Sequence, residues 1–87
     1  MHALKDLEKQ LTLAHEQVIV GAAYCHYRNP ELQYKVLHLG IQEASEKICV
    51  IYQALYGDKA IWVRDLDVWL AQVEHEGKLV PRFRAIG

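Results

Sequence analysis

The side chains able to do chemistry gather in two stretches of an 87-residue chain. In "AAYCHYR", Tyr24, His26 and Arg28 alternate, so in an extended segment they share one face and Ala23, Cys25 and Tyr27 the other. His26 is the candidate for proton transfer, because imidazole titrates near neutrality. Tyr24, two residues away, could hold it or share a ligand. The competing reading is a histidine hydrogen-bonded in a structural corner, since no acid or nucleophile is tied to it by spacing. In "YQALYGDKAIWVRDLDVWL", residues 52–70, Trp62 and Arg64 also share a face. An arginine beside an aromatic ring can stack on it or fork onto a carboxylate or phosphate. It can equally pair with Asp58, Asp65 or Asp67 nearby. Tyr52 and Tyr56 add rings with polar tips, suited to a partly wet groove. For Tyr52, mid-strand, core packing competes with that role.

Other chemistries find little support. The histidines at 2, 15, 26, 38 and 75 form no close-spaced pair and the cysteines no CxxC, so no metal site is expected. Cys25 next to His26 points to the opposite face of a strand and could not share its substrate. No glycine-rich phosphate loop exists; Gly57 reads as a turn residue, and no cofactor is expected. "PRFR" near the C-terminus could touch phosphate, but reads as solvated surface.

The elements that must position these groups are short. Residues 3–17 read as an α-helix, with Leu4, Leu7, Leu11, Ala14 and Val18 on one stripe. Leu13 falls outside the stripe, either exposed or on a partner. Strands are expected in "AAYCHYR", "QYKVLHLGI", "KICVIYQAL" and "AIWVR", with turns at "QEASE" and "YGDK". "DLDVWLAQ" fits one helical turn or a bent strand. "QVEHEGKLVPRFRAI" fits a hairpin about Glu76-Gly77, with Pro81 marking an edge or bulge. Along 47–55, Ile48, Val50, Tyr52 and Ala54 share one face and Cys49, Ile51 and Leu55 the other. Both should be covered, one by the barrel interior and the other by the leucine stripe. Ile61, Val63, Leu55, Tyr52 and Trp69 are expected in the core, which turns Trp62 and Arg64 outward. The whole is a mainly β fold, a small barrel or curled sheet of about five short strands behind an N-terminal helix.

Composition sets bounds. One small domain buries only about 60–65% of its extended surface, and 52% apolar residues suffice for a core. A net charge of −1 does not favour nucleic acid and predicts no binding to anionic membrane. No apolar run approaches the roughly 20 residues of a membrane span. The charged first 17 residues exclude a secretory signal, so Cys25 and Cys49 are expected as free thiols in a cytoplasmic protein.

Four stretches, "GAAYCHYR", "VIYQALYGD", "IWVRDL" and "VPRF", resemble in order and spacing a bacterial family known as domain of unknown function 1653. The resemblance covers residues 21–87 and leaves 1–20 as a helix and connection. It implies a compact SH3-like β-barrel and no established activity. Asp65 stands where the family usually has proline, and "QEAS", with Gln42, replaces a His-Ser-Glu-Thr-like turn. The function expected is a non-catalytic binding module presenting Tyr24, His26, Tyr56, Trp62 and Arg64 to a small ligand, peptide or nucleotide-like partner. The rivals are a small enzyme using His26, and an assembly protein that dimerises through the N-terminal helix.

Overall fold

The computed structural model describes residues 4–86. The elements are α1 (Leu4–Gln17), β1 (Ala23–His26), β2 (Gln33–Gln42), β3 (Lys47–Ala54), β4 (Ile61–Asp65), α2 (Leu66–Leu70), β5 (Gln72–His75), β6 (Lys78–Pro81) and β7 (Phe83–Ala85). Five strands form one antiparallel sheet in the order β4-β3-β2-β1-β7, and β5 and β6 form a separate hairpin. The mainly β architecture with an N-terminal helix is as expected from the sequence. A closed barrel is not formed: β4 and β7 are the two edges of an open sheet. The residues between them are diverted into α2 and the hairpin, so no strand bridges the gap.

Each element follows from its residues. The stripe of α1 places Leu7, Ala14 and the following Val18 in the interior, with Leu11 half-buried, and the helix packs against β2 and β3. Leu4 and Leu13 remain exposed. β3, rich in β-branched and aromatic residues, lies between β2 and β4, so both its edges are paired. The "YGDK" reversal into β4 uses Gly57 at φ 58°, a left-handed conformation that costs other residues more. "DLDVWLAQ" resolves as the single helical turn α2, which carries the buried Trp69. The Glu76-Gly77 hairpin forms as read, with Glu76 at φ 53° and Gly77 at φ 78°.

Cross-strand partners share a face, so the register fixes which side of the sheet is the core. Ile48, Val50, Tyr52 and Ala54 are buried and face the same side as their β2 partners Ile41, Leu39, Val36 and Tyr34. A register shift between Val36 and His38 marks a bulge in β2. The core cluster on this side is Tyr24, Tyr34, Val36, Val50, Tyr52, Ala54, Trp69 and Phe83, with Val18 entering from the end of α1. On the opposite side Cys49 is buried, Ile51 half-buried and Leu55 exposed.

In β4 the expected inside and outside are exchanged. Trp62 pairs with Tyr52 and Arg64 with Val50, which puts both on the core side. Ile61 and Val63 pair with Gln53 and Ile51 on the other side, where they are 59% and 63% exposed. Ile61, Val63 and Leu55 are therefore surface residues, whereas Tyr52 and Trp69 are core as read.

Candidate functional site

An aromatic cluster forms the floor of the site. Phe83 stacks on Trp69 with ring centroids 3.9 Å apart and planes 8° from parallel. Tyr34, Tyr52 and His26 each meet the Phe83 ring edge-on. β7 brings Phe83 beside His26 by strand pairing, and α2 brings Trp69 under Tyr52. The edge-on pairs, with centroids 4.9 to 5.9 Å apart, lie at the separations that edge-to-face packing favours, and the Phe83–Trp69 stack is tighter.

Above this floor, where β4 ends the sheet, a pocket of about 180 Å³ is lined by Tyr34, Tyr52, Tyr56, Trp62 and Arg64. The hydroxyls of Tyr34 and Tyr56 are 2.8 Å apart and hydrogen-bonded. Burial, then the bond to Tyr56, raises the Tyr34 pKa well above the ordinary phenol value. The hydroxyl therefore stays protonated at neutral pH. One proton serves the tyrosine–tyrosine bond and the other remains to donate to a ligand. Arg64 Nε donates to the Tyr52 hydroxyl at 3.4 Å, and its guanidinium lies over the Phe83 ring, 5.5 Å from the centroid. Asp65 instead takes Lys47, at 3.6 Å. Among the described residues Arg64 has no carboxylate partner. Trp62 is 54% exposed and makes no ring–ring contact among the described residues.

The structure brings together Tyr56, Trp62 and Arg64 of the five expected residues, and sets two aside. Tyr24 is core: it is buried, meets Trp69 edge-on, and its hydroxyl accepts the Ile19 N–H at 3.0 Å. That bond ties the end of α1 to the sheet. His26 faces the same side but lies behind Phe83, outside the pocket. Its Nδ1 accepts the Arg28 N–H at 3.2 Å, closing the turn after β1. Burial, then the charges of Arg82, Arg64 and Arg28, lowers its pKa, so the ring is neutral. With Nδ1 engaged as an acceptor, the neutral ring carries its proton on Nε2 and has no free base. Arg28 lies past the end of β1, exposed, with its guanidinium 5.9 Å from the Tyr27 ring.

Tyr34 and the Phe83 floor escape a local reading of the sequence. Tyr34 alternates with Val36 in "QYKV", which marks an inward face but not what that face meets. Its partner Tyr56 is 22 residues away. The two cysteines are buried free thiols; burial, then a hydrogen bond from Cys49 to Asp65, raises the Cys49 pKa. Among the described residues no cluster of three or more His, Cys, Asp or Glu could hold a metal ion, and no helix is long and apolar enough to cross a membrane.

Comparison with known proteins places the chain among relatives of one kind. The model of a family described as "Protein of unknown function (DUF1653)" matches residues 22–85. The crystal structure of a DUF1653 protein from Bordetella bronchiseptica superposes with a TM-score of 0.69 at 26% sequence identity, covering 82% of this chain and 91% of that one. No curated protein matches.

Proposed function

The chain belongs to the DUF1653 family of proteins of unknown function, and we propose that it is a small binding module whose pocket takes a planar group bearing an anionic substituent. The observation that carries this reading is Arg64, a guanidinium with no carboxylate partner among the described residues, set beside the half-exposed Trp62 and the hydrogen-bonded hydroxyls of Tyr34 and Tyr56. A planar ring can stack on the indole. A carboxylate or phosphate on that ring can take the Arg64 fork and a tyrosine proton. The pocket, about 180 Å³, is smaller than the roughly 300 Å³ or more of a site enclosing a whole ligand. It therefore suits one ring or side chain of a ligand whose remainder lies outside, such as an aromatic carboxylate, a peptide end or a nucleotide. The same reading puts the protein in a reducing, cytoplasmic setting, supported by the two unlinked thiols.

Isothermal titration calorimetry with phenylacetate and adenosine monophosphate, beside the neutral benzyl alcohol and adenosine, tests this. The anionic probes should bind and the neutral ones should bind at least about tenfold more weakly. Arg64→Gln should remove that preference. Equal binding of charged and neutral probes, or no binding of any, overturns the reading.

A further inference from the structure

Three of the chain's four arginines gather around His26. Arg64 lines the pocket and lies over the Phe83 ring, 5.5 Å from its centroid. His26 meets the same ring edge-on at 5.4 Å, and the Tyr27 ring lies 4.6 Å from His26. Arg28 reaches over Tyr27, and the carbonyl of Arg82 accepts the Tyr27 N–H at 3.0 Å. After burial, the charges of Arg82, Arg64 and Arg28, in that order, hold the His26 pKa down, so three guanidinium groups act on one imidazole. Neither ion pair among the described residues involves an arginine: Asp65 takes Lys47, and Glu76 takes His75. Arg64 and Arg82 each engage only Nε, on the Tyr52 hydroxyl at 3.4 Å and the Val68 carbonyl at 3.2 Å. Those bonds anchor the two forks. The terminal nitrogens of all three arginines have no hydrogen-bond partner among the described residues.

Three like charges set around one ring repel one another. In a chain of net charge −1 their grouping makes a local positive field that an anion relieves. One carboxylate or phosphate occupies one fork, and three forks match a ligand with several anionic groups. Guanidinium suits phosphate in particular, because two parallel N–H groups meet two oxygens. We infer that the ligand carries a phosphate chain, as a nucleoside di- or triphosphate does, with its ring on Trp62 and its phosphates laid from Arg64 past His26 toward Arg82 and Arg28. The inference rests on the pocket reading for the ring and on the arginines for the chain. It gives Arg28 and Arg82 a role outside the small pocket, where the remainder of the ligand lies. The Nε2–H of His26, without a hydrogen-bond partner among the described residues, adds one more donor beside the forks.

Isothermal titration calorimetry of the full chain at fixed ionic strength, with EDTA to exclude divalent metal, compares adenosine mono-, di- and triphosphate. Affinity should rise with each phosphate, the triphosphate binding at least about tenfold more tightly than the monophosphate. Arg28→Gln and Arg82→Gln should each remove most of that gain and leave monophosphate affinity within about twofold. Arg82 also holds the Val68 carbonyl, so circular dichroism checks its variant, and the exposed Arg28 gives the comparison free of that bond. Arg84→Gln removes the same charge from the other face of β7, where Arg84 pairs with Cys25, and should leave the gain intact. A triphosphate no tighter than the monophosphate, or an equal loss in Arg84→Gln, overturns this inference and leaves the pocket reading standing. A monophosphate that does not bind, beside inorganic tripolyphosphate that binds through Arg28, overturns the pocket reading and supports the arginine site. No binding of either overturns both. A short single-stranded RNA that binds more tightly than the triphosphate at the same salt overturns the assignment to a free nucleotide.

Discussion

Removing the Phe83 ring tests the physical basis of the site at its floor. The ring is 7% exposed, stacks on Trp69 at 3.9 Å, and receives three further rings edge-on. Phe83→Ala forfeits the transfer energy of the ring and leaves a hole among side chains that pin one another, so collapse is limited. The expected cost is about 3–5 kcal/mol, the range for a buried aromatic truncated to alanine. In a domain of this size each kcal/mol moves Tm by roughly 4–8 °C, so the melting point should fall by more than about 12 °C. Phe83→Leu keeps most of the apolar burial and loses mainly the stacking and edge contacts, costing about 1–2 kcal/mol. A double-mutant cycle of Phe83→Leu with Arg64→Gln should return about 0.5–1 kcal/mol of coupling for the guanidinium over the ring. Urea unfolding with an unchanged m-value is the measurement. A Phe83→Ala cost below about 1 kcal/mol would refute the claim that this ring anchors the floor.

Leu7→Ala should cost about 2–4 kcal/mol by urea unfolding, because Leu7 is buried, whereas Leu4→Ala at a 67% exposed position should cost little. Glu76→Asn should stabilise the hairpin by about 0.5–1 kcal/mol in the same assay, because Glu76 sits at φ 53° and Asn tolerates that conformation better. The lowered pKa of His26 means that the unfolded chain binds its proton first as pH falls. Its contribution is thus intact above the ordinary histidine value of about 6.5 and is lost as pH drops through the folded value. Unfolding measured at pH 7.5 and pH 5 should show a smaller acid loss in His26→Gln than in the wild type, and an equal loss would contradict the assigned burial.

Much of the fold is written in local pattern. The stripe Leu7, Leu11, Ala14 and Val18 names both the helix and its buried side, and "KICVIYQA" names the strand at the heart of the sheet. Gly57 and the Glu76-Gly77 pair name two reversals. What local pattern does not carry is phase. In "IWVRD" each face holds residues that could be buried, so alternation alone leaves two arrangements. The choice is made by the pairing Tyr52 to Trp62, a contact across the sheet. It turned Ile61 and Val63 to solvent and Trp62 and Arg64 toward the aromatic floor. Barrel closure is likewise non-local: it depends on where the β5–β6 hairpin goes, and each strand's own residues look the same either way. That Tyr24 and His26 share a face was legible; that the face is the inner one, rather than an outward groove, was not. Their distance from the pocket follows from Phe83 and Trp69, which reach that face from the far end of the chain.

The pocket itself is tested most directly by the indole N–H signals of the two tryptophans. Trp69 is 2% exposed beneath the floor, and Trp62 is 54% exposed on the pocket wall. In a ¹H–¹⁵N correlation spectrum, with Trp62→Phe fixing the assignment, titration with phenylacetate or adenosine monophosphate should move the Trp62 indole signal in a saturable way. It should move the Trp69 signal far less, and Arg64→Gln should abolish the effect. A Trp62 signal that stays still while either probe binds elsewhere, or that moves equally in Arg64→Gln, would contradict the account.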